Sequence, residues 1–303
     1  MDEFRSFVRS NVRLSDYTRL GVGGTVEYFA EPESELQLLS LLESCRRKNL
    51  SIRAIGAGAN ILAPDNGIAG VVISLNKPAF SGIKKRVSKS EPFITAGAGV
   101  KLVQLITEAV TIGLGGIEGL IGIPGTVGGS LCDNAGTRND NIGQWVESVR
   151  VANLDGTISV LSKSEITFGY RSSSLDTGII LEATFRLELG DELELSKRMQ
   201  KFWIVRKSQQ PCGESRAAMA FNSTKTGASA SDLIDQVNLK GTRIGSATIS
   251  ENNSNFIVIE QNDNDKKNNE HSIGENIKRL IQLVQDRILE KTDIELEPAL
   301  RIW

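Results

Sequence analysis

Gly119-Leu120-Ile121-Gly122-Ile123-Pro124-Gly125-Thr126-Val127-Gly128-Gly129-Ser130, with Asn134-Ala135-Gly136 close behind, is the stretch on which the reading of this chain turns. Five glycines fall in those twelve positions and a sixth stands at 136. Pro124 fixes the backbone among them, so little side chain separates the main chain from a ligand. A shorter loop, Ile55-Gly56-Ala57-Gly58-Ala59-Asn60-Ile61-Leu62, follows an apolar run and repeats the device. Its glycines turn the chain sharply and leave bare N–H groups able to face a phosphate. Read conservatively, both are tight turns. Neither carries the lysine of a P-loop nor the GxGxxG spacing that opens the helix of a βαβ dinucleotide unit.

Outward from these loops, apolar runs bounded by glycine read as strands at 26–31, 50–56, 70–75, 93–99, 146–156 and 179–190. Helical periodicity lies between them. Residues 33–49 place Leu36, Leu39, Leu42 and Cys45 on one face, and residues 100–113 place Leu102, Leu105, Ile106 and Ala109 likewise, with Gly113 as the C-terminal stop. A charged helix over 194–210 runs into Pro211, where the sequence changes character and a domain boundary is expected. Beyond it, residues 229–241 read as a helix capped by Ser229 or Ser231, residues 242–261 alternate as strand, and a polar insert follows. Residues 272–293 then form an amphipathic helix with Ile277, Leu280, Ile281, Val284 and Ile288 on one stripe, and residues 294–303 read as a last strand. The fold class is therefore α+β. Two backbone cradles separated by one strand–helix unit suit a ligand with a pyrophosphate and a large second moiety, a description that fits FAD.

Composition excludes other classes. The 303 residues are 40% hydrophobic and 24% charged, enough to bury a sizeable core in two or three domains. A formal charge of -2 with both signs interspersed gives no basic footprint for nucleic acid, and the basic run Lys84, Lys85, Arg86 and Lys89 reads as a solvated loop. The first residues carry no apolar run of signal-peptide length and no later stretch reaches a membrane span, so a cytoplasmic protein is expected. Cys45, Cys132 and Cys212 are widely spaced and outside any CxxC pattern, which indicates three free thiols and no metal site. The single histidine, His271, lies in a polar stretch that reads as surface loop, so any mechanism works without an imidazole.

A collinear set of motifs resembles the UDP-N-acetylenolpyruvoylglucosamine reductase family. It comprises Asn11-Val12-Arg13-Leu14, Thr18 to Gly24, Gly56 to Leu62, Gly122 to Gly129, Asn134-Ala135-Gly136, Gly169-Tyr170-Arg171-Ser172-Ser173, Leu239 to Gly245, and Ser250-Glu251 with Asn255 to Val258. The resemblance covers nearly the whole chain. It implies an FAD-binding fold of the UDP-N-acetylmuramate dehydrogenase and vanillyl-alcohol oxidase type: subdomains at 1–75 and 76–208, and a C-terminal α+β substrate domain at 209–303. It further implies that Gly56, Ala57, Gly58, Ala59, Asn60, Gly122, Ile123, Pro124, Gly125, Thr126, Gly128, Gly129, Asn134 and Gly136 hold FAD. NADPH is the implied hydride donor and a UDP-sugar the substrate, contacted by Tyr170, Arg171, Asn222 and Lys240 in a cytoplasmic monomer that serves peptidoglycan synthesis. Hydride addition to an enolpyruvyl group drives negative charge toward its carboxylate, which demands a cation there and an acid for the second carbon. The resemblance assigns the cation to Arg171.

Two positions break the pattern. Anchored on Pro211 and Phe221, the family's Ser or Cys proton donor falls on Met219, whose thioether has no proton to give. The family's C-terminal glutamate falls on Ala299, with Glu297 two residues earlier and displaced by roughly 6 to 7 Å along a strand. Ala59 replaces a serine, Asn253 stands in place of a histidine, and Asp133 adds charge near the proposed pyrophosphate loop. Three readings follow. One is a slow reductase using Ser215, Ser223 or Cys212 as donor. The second is a catalytically degenerate paralogue that binds FAD or nucleotide sugar in a regulatory role. The third, a sugar or alcohol oxidase, is disfavoured because such enzymes often hold flavin through His or Cys and only Cys132 lies in an FAD loop.

Overall fold

The glycine-bounded apolar runs pair into two main sheets in the first part of the chain. The computed structural model describes residues 1–137, 140–211, 216–224, 227–260 and 272–303. One sheet has the order Val8–Arg13, Thr25–Ala30, Ile68–Ser74, Ile52–Ile55, the last two parallel. The other is antiparallel, in the order Ile158–Ser162, Val146–Asn153, Gly178–Arg186, Pro92–Gly97, Ile83–Val87.

Chain packing divides the molecule into two compact units. The first comprises Met1–Val12, Val26–Ala57 and Ala69–Arg206, and the second comprises Arg13–Thr25, Gly58–Ile68 and Lys207–Trp303. The first unit holds both sheets, helix α1 (Glu35–Arg47), helix α2 (Leu102–Thr111), the short helix α3 (Val127–Cys132) and most of helix α4 (Glu192–Gln209). On α2 the apolar stripe is as expected: Leu102, Leu105, Ile106 and Ala109 are all buried, and Gly113 takes φ +70 to end the helix.

The α1 face lies elsewhere than the periodicity predicted. Leu38, Leu41, Leu42 and Cys45 face the core, while Leu36 is 75% exposed and Leu39 half-buried. Both sets have helical spacing in a leucine-rich helix, and the sheet beneath selects the one that buries four side chains together. Of the basic run, Lys84, Lys85 and Arg86 are not in a loop, while Lys89 lies in the exposed turn that follows. Ile83–Val87 is an edge strand paired with Pro92–Gly97, with Lys84 and Lys85 bridged to Glu182 and Glu108. Lysines on an edge strand discourage further strand pairing, which reconciles the charge with the strand.

The second unit is built on an antiparallel sheet ordered Ala217–Met219, Phe256–Ile259, Ala247–Ile249, Arg243–Ile244. Helix α5 (Ala230–Gln236) and helix α6 (Ile273–Thr292) complete it. Ser229 occupies the N-cap of α5, but its hydroxyl pairs with Ser231 at 2.7 Å and makes no cap bond. The stripe of α6 is as predicted, with Ile277, Leu280, Ile281, Val284 and Ile288 buried, each contributing about 1.5–3 kcal/mol. Leu20, Val22 and Leu62 join this same core, which is why the segments 13–25 and 58–68 belong to it. The expected closing strand shrinks to Arg301–Ile302, parallel to Ile61–Leu62. Pro298 within it contributes no N–H to a ladder and makes only an isolated bridge to Phe221.

Candidate active site

In the first unit the long glycine loop leads into α3, where Thr126 is the N-cap and accepts from the Gly129 N–H. Gly56 lies directly on Thr126, so a Cβ there would strike the threonine hydroxyl, and the ends of the two glycine segments meet within this unit. The glycines have different reasons to be glycine. Gly128 packs on Ala98, and a Cβ would approach that methyl to 3.0 Å. Gly129 is exposed, and its Cβ would meet nothing closer than Thr126 Oγ1 at 3.6 Å. A glycine inside a helix costs about 0.5–1 kcal/mol relative to alanine, and here no atom of the described residues requires it. Gly125 has room beside it, with only Ser130 Oγ at 3.5 Å, but its φ of +149 itself favours glycine. Bare backbone that no described contact requires, as at Gly129, is what close approach of a pyrophosphate needs, so the loop fits FAD. Gly58, Ala59 and Asn60 belong to the second unit, where the Gly58 carbonyl accepts from Arg19 N–H at 2.9 Å. Asp133 caps the far end of α3, about 10 Å along the axis from Thr126.

Tyr170 and Arg171 form the tip of a hairpin between the two-residue strands Phe168–Gly169 and Ser172–Ser173. Arg171 takes φ +56, a left-handed conformation that is uncommon for a side-chain-bearing residue and persists where surroundings enforce it. Asn134 supplies that enforcement. Its amide donates to the Gly169 carbonyl at 2.7 Å and accepts from Gly143 N–H at 3.0 Å, so the NAG turn clamps the base of the hairpin. Gly136, at φ +141, lets the same turn close on Asn141. Tyr170 lines a cleft of about 560 Å³ with Asn134, Phe168 and Lys163.

The Nε of Arg171 is buried and finds no acceptor among the described residues, and the same holds for Nε of Arg206. Arg206, at the end of α4, went unnoticed in the sequence, where it stands as one more charge after four apolar residues. Its Nη2 donates to the Gly119 carbonyl at 2.7 Å, and its Cδ packs where a Cβ on Gly122 (φ +83) would lie, 2.9 Å away. Burial pushes the Arg206 pKa down, the nearby Arg171 charge pushes it further, and Asp140 opposes them. Two like charges near one another, each with a buried Nε that has no acceptor among the described residues, are chemically suited to an anion. Nearby, Glu118 is buried and paired with Arg198.

In the second unit Met219 ends the strand Ala217–Met219 and is half-buried. The next residue, Ala220, accepts from the Ala299 N–H at 2.8 Å, so the two positions at which the expected chemistry is missing lie on adjacent backbones. Glu297 is exposed and outside any regular strand, its carbonyl accepting from Asn222 N–H. Asn222 Nδ2 donates to the Pro298 carbonyl at 3.4 Å, and its buried Oδ1 has no partner among the described residues. Lys240 is exposed on the turn after α5, and Ser223 is exposed beyond Asn222. Asn253, in place of the expected histidine, donates to the Gln209 carbonyl at 2.6 Å.

Comparison with known proteins shows the family. The FAD binding domain family matches residues 26–162, and the C-terminal domain of UDP-N-acetylenolpyruvoylglucosamine reductase matches residues 210–303. The reductase of Rhodopirellula baltica is 34% identical over 98% of this chain and 92% of its own. The chain belongs to the UDP-N-acetylenolpyruvoylglucosamine reductase family. The family's enzyme from Clostridium tetani is likewise 34% identical, over 97% of this chain and 92% of its own. A crystal structure of the family's member from Thermus caldophilus superposes with a TM-score of 0.78 at 32% identity, covering 98% of this chain and all of that one. The α+β class and FAD-binding architecture expected from the sequence are those of the family.

Among the described residues no cluster of His, Cys, Asp or Glu has the arrangement of a metal site, and no helix is long and apolar enough to cross a membrane. Cys45 is buried in the core of the first unit and Cys132 half-buried at the end of α3. Cys212, Ser215 and His271 lie outside the described residues.

Proposed function

We propose that this chain reduces UDP-N-acetylenolpyruvoylglucosamine to UDP-N-acetylmuramate at a rate limited by proton delivery. Family membership supports the reaction, and one observation supports Arg171 in it: a guanidinium held in a left-handed turn with its Nε buried and unpaired beside a second arginine. FAD, when bound, supplies a hydride received from NADPH. The residues that hold it are Gly56, Ala57, Gly58, Ala59 and Asn60 in one loop and Gly122 to Gly129 in the other, with Ile123 and Pro124 shaping the turn. Asn134 and Gly136 act through the hairpin, since both ends of the Asn134 amide are already bonded within the first unit.

Arg171 binds the enolpyruvyl carboxylate and stabilises the charge that grows there as hydride arrives. Arg206 completes the cationic pair. Tyr170, Asn222 and Lys240 contact the UDP-sugar. Met219 contributes no proton, and loss of a general acid costs about 10² to 10⁴ in rate, so turnover persists through a weaker source. The domain division 1–75, 76–208 and 209–303 goes with this reading, as do a monomeric state and work in the cytoplasm on a peptidoglycan precursor.

The adjacency of Met219 and Ala299 favours a second reading, in which the chain binds FAD or nucleotide sugar in a regulatory role without turnover. An anaerobic single turnover separates them. With the flavin reduced by NADPH and UDP-N-acetylenolpyruvoylglucosamine added, return of the oxidised-flavin band together with the lactyl product supports the reductase. Persistent reduced flavin despite bound substrate leaves the binding role, and failure to retain any flavin rejects the reductase and leaves only binding of the nucleotide sugar.

A further inference from the structure

Helix α4 is held to its own unit along one stripe only. Leu195 is buried, Met199 and Arg206 are half-buried on the same side, and apart from Ser196 the rest of Glu192–Gln209 is exposed. Yet Leu193, Phe202, Trp203, Ile204 and Val205 stand between 43% and 63% exposed, the last four in succession and so directed all round the helix. Apolar side chains clustered on the side away from the core mark a surface that another body covers. An 18-residue helix with one buried residue also gains little from its own unit. Residues 138–139, 212–215, 225–226 and 261–271, outside the described residues, carry no large apolar side chain to supply the cover.

We propose that the outer face of α4 pairs with the same face of a second copy of this chain, antiparallel across a twofold axis, in a reversible dimer whose dilute form is the monomer.

The register is set by the sequence of the helix. Leu193, Lys197, Gln200 and Ile204, at i, i+4, i+7 and i+11, form the stripe opposite Leu195 and Met199, and all four are exposed. Antiparallel pairing sets Leu193 against Ile204 of the second copy at both ends, with Lys197 against Gln200 between them. Charge selects the direction. Asp191, Glu192 and Glu194 crowd the start of the helix, while Lys201 and Lys207 lie in its second half. The same register therefore brings Glu194 alongside Lys201, and Glu192 alongside Lys207, of the second copy, each pair made twice by symmetry. Among the described residues Glu192 and Lys201 have no ion-pair partner, and Glu194 has only the exposed Lys197 of its own helix at 2.8 Å. Parallel pairing would set acid on acid. One helix face falls below the roughly 1,200 Å² of a standard interface, which makes the association reversible.

Sedimentation velocity of the full chain from about 1 to about 200 µM tests this, with a dimer Kd expected on the order of 10 µM. Ile204→Glu places two carboxylates in the seam and should raise Kd at least about 100-fold, and Glu194→Lys about tenfold. Combining Glu194→Lys with Lys201→Glu exchanges the partners and should restore the wild-type Kd to within about threefold. That recovery separates loss of pairing from loss of folding. A monomer at every concentration overturns the proposal. So does a dimer indifferent to Ile204→Glu, or a charge exchange that restores nothing.

Discussion

Replacing Met219 by serine tests whether the missing acid limits this chain. Met219 is half-buried, and its strand is held to Phe256–Ile259 through backbone pairing, so the ladder survives any side chain there. Truncating a half-buried methionine costs about 1–2 kcal/mol, against a total stability of about 5–15 kcal/mol. The gain concerns the barrier. A positioned general acid contributes about 10² to 10⁴ in rate, which at 1.36 kcal/mol per decade is about 3–5 kcal/mol. Met219→Ser is therefore expected to accelerate single-turnover reoxidation of reduced flavin by at least about 100-fold, with the rate of flavin reduction by NADPH unchanged. Ala299→Glu, one hydrogen bond away across the Ala220 carbonyl, is expected to add to that gain only when the serine is present. The measurement is stopped-flow absorbance under argon with mass-spectrometric identification of the lactyl ether. A folded Met219→Ser protein that retains FAD and substrate but reoxidises no faster than wild type would refute the placement of the donor at 219, and Met219→Cys would be expected to fail with it.

Three further outcomes follow from the geometry. Gly122→Ala meets both a left-handed φ of +83 and the Arg206 Cδ at 2.9 Å, so it should lose FAD on gel filtration and about 1–2 kcal/mol of stability; unchanged flavin retention would count against the cradle. Asn134→Ala leaves the Gly169 carbonyl and Gly143 N–H unpaired, and should destabilise the first unit by about 2–3 kcal/mol in a urea titration while raising KM for the sugar nucleotide; an intact KM would separate the hairpin from substrate binding. Burial pushes the Cys45 thiol up to about 11, so the folded protein should resist alkylation at Cys45 at pH 8. Because the native pKa lies above the unfolded value, its contribution to stability is full below about pH 8.5 and falls as pH rises through 11. Native-state labelling read by peptide mass and Tm across that range check both, and rapid Cys45 modification in folded protein would contradict the packing of α1.

Much of the fold was legible because it rests on local rules. The α2 and α6 stripes obey helical spacing, and Gly113 ends α2 as a glycine with positive φ should. The α1 face is not legible in the sequence because leucines at 36, 38, 39, 41 and 42 satisfy more than one stripe, and only the sheet beneath chooses. The strand at Ile83–Val87 is not legible either, because an edge strand is defined by a neighbour that periodicity does not see.

By itself the sequence determined the chemistry available to this protein: two glycine loops without a P-loop lysine, an arginine in GYRSS, methionine where an acid belongs, and no imidazole suited to replace it. Those are properties of residue identity and short spacing. Packing alone brought segments 13–25 and 58–68 into the C-terminal unit, left Gly129 with no described atom that requires a glycine there, and placed Arg206 within the field of Arg171, 35 residues away in sequence. The reason is physical: an anion site depends on desolvation and on the field of charges contributed by separate elements, and both exist only once those elements are packed.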